Sequence, residues 1–351
     1  MPIKIAINGF GRIGRAAFKI ALENKNLEVV AINDLMDNKT LAHLVKYDTV
    51  YREYPKTVLG TKEGIKVAGK LYPVFAEKEP AKLPWKKMGV DVVLECTGRF
   101  TNKKEAGEHL KAGAKQVVIS APGKDKETET LVFGTKSTAA ALKAGKWSSV
   151  ISNGSCTTNC IAPVMQVLES KFGIEKALMT TVHSYTADQN LVDGPHRDLR
   201  RARAAAANMV PTSTGAAIAT TEVIPTLKNL FDGLSVRVPT ICGSLSDITV
   251  VLKRKRVTVQ QVNDAFKAAA KDPLFKDRLV AVNRPLVSSD IIGTTASAIV
   301  DLDLTRVVGG NLVKVLAWYD NEWAYTLRLV EMAEALGKGN KRSESDKAIK
   351  L

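Results

Sequence analysis

The chain has 351 residues, of which 45% are hydrophobic and 25% charged, a balance that excludes a disordered, collagen-like or coiled-coil protein and suggests about two domains. Its formal charge of +15 favours anionic partners without saying anything about fold, and four cysteines are too few for a disulfide scaffold. No apolar run reaches the roughly 18 residues that span a bilayer, and Met1-Pro2-Ile3-Lys4 leads straight into a strand, so a soluble cytoplasmic protein with reduced thiols and no membrane partner is expected.

The first third alternates strand and helix patterns. Ile3 to Asn8 is a short apolar run, followed by Gly9-Phe10-Gly11-Arg12-Ile13-Gly14 and a helical stretch from Ile13 to Glu23. Leu27 to Asn33, Val90 to Cys96 and Gln116 to Ser120 read as further strands of nearly continuous apolar character. Strands of this kind, covered on both faces and joined by helices, imply a parallel sheet. The glycine run is G-x-G-x-x-G in strand–turn–helix context. The first glycine allows the tight turn, the second a close approach to a pyrophosphate, and the third close helix–strand packing. Asp34 follows Gly14 by 20 residues, where a carboxylate accepts from the ribose hydroxyls of NAD and repels a 2′-phosphate. The other reading is a glycine turn without a ligand.

Small polar residues, Ser152-Asn153-Gly154-Ser155, precede a helical pattern through Phe172 and place Cys156 at or near its start. A helix N-terminus stabilises a thiolate, so Cys156 is expected to be a nucleophile of lowered pKa. Cys160 is one turn on, neither a C-x-x-C redox pair nor a convincing zinc pair, and no metal site is expected. It is read, with Cys96 and Cys242, as a small buried hydrophobe.

After residue 175 the pattern changes. Ala177 to Ser184, Ser235 to Pro239, Asp247 to Leu252, Ala296 to Leu302 and Leu312 to Tyr319 read as strands of an antiparallel or mixed sheet. Ala204 to Asn208 and Val259 to Lys271 read as helices. His183 closes the first of these strands and is a candidate base for the thiol proton, or a satisfied core histidine. His43, His109 and His196 are read as surface or helix residues. The hydroxyl-rich Pro211 to Ala217 is a candidate anion nest, and Arg237 a candidate phosphate ligand or an edge arginine in solvent. Arg197 to Arg203 and Lys253 to Arg256 are basic runs without the aromatic residues of a base-stacking platform, so nucleic acid is not expected as the main partner. The last helix, Glu322 to Leu336, is expected to stop at Gly337, leaving residues 338–351 as a flexible basic tail.

Five stretches, INGFGRIGR from Ile7, SNGSCTTNC from Ser152, TTVHSYT from Thr180, HRDLRRARAAA from His196 and WYDNEW from Trp318, together give the chain a strong resemblance to phosphorylating glyceraldehyde-3-phosphate dehydrogenases, from Ile3 to about Leu336. The resemblance implies conversion of D-glyceraldehyde 3-phosphate, inorganic phosphate and NAD to 1,3-bisphosphoglycerate and NADH through a cysteine thioester, in glycolysis or gluconeogenesis. It implies a Rossmann-type nucleotide domain (α/β, residues 1–154, completed by a helix at 319–337), a mixed-sheet α+β catalytic and tetramerisation domain (155–318), and a homotetramer. By the same resemblance Cys156 is the nucleophile and His183 the base. Arg12, Ile13, Asp34, Lys78, Ser120 and Asn321 join Gly9, Gly11 and Gly14 at the cofactor. Ser155, Thr157, Thr186, Thr214, Gly215 and Arg237 hold substrate and inorganic phosphate. The chain departs from the family pattern at Gly154, usually alanine, and at Gly194-Pro195, usually Leu-Pro in NAD-specific members. An erythrose-4-phosphate dehydrogenase would share the same motifs, and a basic surface binding nucleic acid or membrane is the alternative of a different class.

Overall fold

The computed structural model describes the chain from Met1 to Ala348, with side chains through Gly339. The chain divides into two compact units. The first comprises Met1–Leu131, Ala141–Gly154 and the C-terminal segment from Thr326; the second comprises Val132–Ala140 and Ser155–Tyr325. Val132–Ala140 therefore packs with the second unit, whereas the expected range of 1–154 assigned it to the first.

The first unit is built on nine strands in the spatial order Glu129–Thr130, Val150–Ser152, Gln116–Ile119, Val92–Glu95, Ile3–Asn8, Leu27–Asn33, Lys70–Phe75, Gly64–Val67, Val58–Gly60. The first seven are mutually parallel, and the last two turn back antiparallel. The N-terminal strand has the next strand in sequence on one side and Val92–Glu95 on the other, so the chain reverses its direction of winding there. In open α/β sheets ligands bind at the carboxyl ends of the strands flanking such a point. The antiparallel edge between residues 58 and 75 escaped the sequence reading because its strands are short, half exposed and interrupted by lysine and glycine.

The final helix runs over Trp323–Ala348 and continues through Gly337. Gly337 serves close packing rather than termination: a Cβ there would lie 2.5 Å from Ile3 Cγ2. Upstream, both oxygens of Glu334 accept from the side-chain amides of Asn24 and Asn26. The described part of the expected tail, to Ala348, is thus helical, and its last three residues lie outside the described chain.

The second unit is built on seven strands in the order Val210–Ser213, Phe231–Val238, Ile174–Ser184, Ser244–Leu252, Leu312–Tyr319, Ala298–Val308, Leu279–Val282. Two pairings are parallel and four antiparallel, a mixed sheet. Burial alternates strictly along Ser244–Leu252. One face carries Ile248, Val250 and Leu252 into a core shared with the helices Cys156–Phe172 and Val259–Ala269. The opposite face leaves Leu178, Leu234 and Leu312 exposed. Ala205–Ala207 forms only a single 3-10 turn, in place of the helix expected over Ala204 to Asn208. Alanine propensity alone does not hold so short a segment as an α-helix.

Candidate functional site

In the first unit the glycine turn follows strand Ile3–Asn8 and opens helix Arg12–Leu22, as its motif requires. Gly9 has φ +89°, and a Cβ on it would stand 2.6 Å from Thr97 N. A Cβ on Gly14 would stand 2.0 Å from the Gly9 carbonyl oxygen, so this glycine permits the helix to lie against the turn. At Gly11 a Cβ would meet nothing within 4 Å. The outer face of the turn is therefore open where the helix N-terminus can meet a phosphate.

The Asp34 carboxylate is tied to this turn. Oδ2 accepts from Phe10 N at 2.7 Å and Oδ1 from Met36 N at 3.0 Å. Arg12 is committed to Asp48 at 2.7 Å and lies over the Tyr51 ring. Lys78 is exposed and lines the same cleft as Gly9, Gly11 and Asp34. Ser120 follows strand Gln116–Ile119 and donates its amide to the Glu95 carbonyl. Cys96 is half-buried and also lines the cleft, so it is not the buried hydrophobe expected of it. The glycines, the strand-end carboxylate and the open helix terminus fit a dinucleotide.

In the second unit, helix Cys156–Phe172 begins with a capping box. Ser155 Oγ accepts from Thr158 N at 3.0 Å, and Thr158 Oγ1 accepts from Ser155 N at 3.3 Å. This cap fixes Cys156 as the first helical residue. Gly154, immediately upstream, has φ +64°, a conformation that alanine adopts only with strain, which accounts for the glycine.

Cys156 Sγ lies 3.3 Å from His183 Nε2. On the far side of the ring, Nδ1 is 2.6 Å from the Ser184 carbonyl oxygen. Arg237 Nη1, a donor, lies 3.1 Å from the same nitrogen, but the carbonyl is the closer neighbour and only accepts; the shorter contact favours the proton on Nδ1, leaving Nε2 to accept from the thiol. The parallel pairing of the strands sets Arg237 directly beside His183. Arg237 Nη1 donates to the Ser184 carbonyl at 3.2 Å and to Thr186 Oγ1 at 3.3 Å. Its Nε is buried with no acceptor.

Burial pushes the His183 imidazolium down to about 3, the Arg237 charge acts in the same direction, and the Ser184 carbonyl opposes them. Burial also pushes the Cys156 thiol up, against the pull of Arg237 and of hydrogen bonds at Thr157. Both shifts favour a resting pair of thiol and neutral imidazole over the ion pair. The helix N-terminus, expected to lower the thiol's pKa, is opposed here by desolvation.

Thr157 Oγ1 hydrogen-bonds Tyr319 OH at 2.8 Å, and the same hydroxyl meets Thr181 Oγ1 at 2.8 Å. Tyr319 also packs edge-on against the His183 ring. Tyr319 belongs to the WYDNEW stretch, but nothing local in the sequence marks this contact, because its strand is 162 residues from Thr157. Thr214 Oγ1 accepts from Ala216 N, and Gly215 caps helix Ala216–Val223 with open space where a Cβ would stand. Asn321 Oδ1 accepts from Gly243 N and Ser244 Oγ, both at 3.0 Å, which leaves its NH2 group as the donor for a ligand.

Two more sequence readings are settled by contacts. Arg201 pairs with Asp188, and Arg203 with Asp193 at 2.7 Å, so these arginines brace their own loop. His109, read as a surface or helix residue, lies in the short helix Glu108–Lys111 and is fully buried among Asn8, Trp85 and Glu95.

Two family models match the chain: "Glyceraldehyde 3-phosphate dehydrogenase, NAD binding domain" over residues 3–103, and "Glyceraldehyde 3-phosphate dehydrogenase, C-terminal domain" over residues 155–321. The chain belongs to the glyceraldehyde-3-phosphate dehydrogenase family. It is 54% identical over 330 residues to glyceraldehyde-3-phosphate dehydrogenase 1 of Bacillus cereus, covering 94% of this chain and 97% of the relative. To the glyceraldehyde-3-phosphate dehydrogenase of Thermotoga maritima it is 51% identical over 337 residues, covering 95% and 99%. To that of Geobacillus stearothermophilus it is 50% identical over 333 residues, covering 95% and 98%.

Three predictions follow from the geometry of this family member. Gly14→Ala forces helix and turn apart and destabilises the protein by about 1–3 kcal/mol, whereas Gly11→Ala leaves the melting temperature unchanged and weakens NAD binding. Thermal denaturation and NAD titration separate the two. His183→Asn removes the proton acceptor and lowers turnover by about 10²-fold or more. Because the wild-type thiol is raised, alkylation of Cys156 by iodoacetamide climbs with pH through the alkaline range; a plateau reached below neutrality would contradict the neutral resting pair.

Proposed function

We propose that the chain oxidises and phosphorylates D-glyceraldehyde 3-phosphate, yielding 1,3-bisphosphoglycerate and NADH. The observation that carries this reading is the 3.3 Å contact between a cysteine at the first position of a helix and an imidazole whose far nitrogen faces a carbonyl.

Cys156 Sγ attacks the aldehyde carbon as its proton passes to His183 Nε2. The new hemithioacetal oxygen is stabilised by the Cys156 amide at the helix N-terminus and by the imidazolium. NAD, when bound, supplies the hydride acceptor; the glycine turn, Arg12, Ile13, Asp34, Lys78, Ser120 and Asn321 are the residues proposed to hold it. The imidazolium passes its proton to the hemithioacetal oxygen, and return of this proton to His183 with loss of hydride from the carbon leaves a thioester on Cys156. A phosphate oxygen then attacks that carbonyl, the C–S bond breaks, and the sulfur leaves as thiolate to recover the proton. Arg237 and Thr186 are proposed to hold one phosphate, and Ser155, Thr157, Thr214 and Gly215 the other. Arg237 fits this role because its buried Nε has no protein acceptor. The hydroxyls of Ser155 and Thr157 are engaged within the protein and must rotate to serve an anion.

NADH formation followed by absorbance with and without inorganic phosphate tests the reading. Sustained turnover requires phosphate, and Cys156→Ser abolishes it while retaining NAD binding; sustained turnover without phosphate, or in the serine variant, refutes the phosphorolytic thioester route.

We further propose a cytoplasmic homotetramer, with the exposed face of the seven-stranded sheet as a contact between copies. Leu178 is 66% exposed in the middle of a strand there. An apolar residue so placed is best accommodated by a second chain. Leu178→Asp therefore shifts the light-scattering mass to a smaller species.

A further inference from the structure

Beneath the dinucleotide turn lies a buried polar cluster that none of the roles above uses. Glu95 ends strand Val92–Glu95 and is 1% exposed, and His109 is 0% exposed. Four donors converge on the Glu95 carboxylate. Oε2 accepts from Asn8 Nδ2 at 2.6 Å and from His109 Nε2 at 3.0 Å. Oε1 accepts from Thr97 N at 2.8 Å and from Thr97 Oγ1. The tautomer of His109 is fixed from its other side: Trp85 Nε1 donates to Nδ1 at 2.9 Å, so Nε2 carries the hydrogen that Glu95 accepts.

The cluster extends to the neighbouring strand. Asn8 Oδ1 accepts from Asn33 Nδ2 at 2.7 Å, and Asn33 bonds the Glu77 backbone at both its amide and its carbonyl, each at 2.9 Å. A single hydrogen-bonded chain therefore ties together the carboxyl ends of the three central parallel strands. From those ends emerge Gly9, Asp34 and Thr97, and Lys78 follows Glu77; all four line the cleft. The position of Thr97 is also the one that excludes a side chain at Gly9.

We propose that Glu95 and His109 are positioning residues for NAD: their buried pair sets the spacing of the strand ends and so the register of Asp34 against the glycine turn. The pair touches no reacting atom, so it acts on cofactor affinity and leaves the chemical step alone. The inference rests on the dinucleotide reading of the cleft.

The donor count supplies the test. Glu95→Gln is nearly isosteric, but its NH2 must face either the Thr97 backbone amide or the Asn8–His109 pair, both of them donors. His109→Asn retains an acceptor for Trp85 and loses the donor to Glu95; His109→Gln retains the donor to Glu95. NAD binding is measured by calorimetry on each full-length variant, beside KM for NAD, KM for the aldehyde and kcat at saturating NAD. The expected result is that Glu95→Gln and His109→Asn raise the dissociation constant for NAD by about tenfold or more, with kcat and the aldehyde KM unchanged, and that His109→Gln restores affinity. Unchanged NAD affinity in folded Glu95→Gln, or equal losses in His109→Asn and His109→Gln, overturns the proposal. Should Glu95→Gln fail to fold, the two His109 variants decide. Wild-type protein that binds no NAD at all would overturn the dinucleotide reading itself, a distinct outcome.

Discussion

The 2.6 Å hydrogen bond from His183 Nδ1 to the Ser184 carbonyl governs the chemistry of this protein. It decides which nitrogen of the ring faces Cys156 and in what protonation state. With the tautomer reversed, two donors would meet at the sulfur and no base would be present. Its partner is the backbone of the very next residue, so the arrangement costs no extra side chain and persists wherever the strand end holds its shape.

That shape is in turn set by packing around it. The parallel neighbour places Arg237 beside the ring, where its charge depresses the imidazolium and steadies a sulfur anion. Tyr319 packs against the ring edge and holds Thr157 by its hydroxyl, bracing the first turn of the nucleophile's helix. A buried neutral thiol–imidazole pair with an unpartnered guanidinium nitrogen nearby is a site at rest, in which the anionic substrate completes the electrostatics. The nucleotide unit follows the same plan. A buried carboxylate saturated by four donors holds three strand ends together, and the ligand-facing groups stand on that base.

Much of this was legible in the sequence. Strands Ile3–Asn8, Leu27–Asn33 and Leu312–Tyr319 are seen at the limits their patterns suggested. Apolar runs bounded by turn residues leave little freedom about where a strand stops. The short antiparallel edge between residues 58 and 75 has no such boundaries, and the final helix passes through a glycine whose purpose is contact with Ile3. Within the site, Cys156 and His183 were recognisable from their neighbours, while Glu95, His109 and the contacts of Tyr319 were not. A tyrosine ending a strand, or a histidine in a helical run, carries no local sign of what its polar atom will meet.

The sequence by itself determined the turns and caps, because each depends on a few adjacent residues: a glycine that must accept positive φ, a serine that must cap the helix beginning at Cys156, a carboxylate at the end of a strand. Only the tertiary structure decided protonation. Whether the thiol rests charged or neutral depends on how much water burial removes and on where Arg237 comes to lie, and that guanidinium is 54 residues from His183 along the chain. Electrostatic energy is a function of distance in space, and local sequence carries no measure of it.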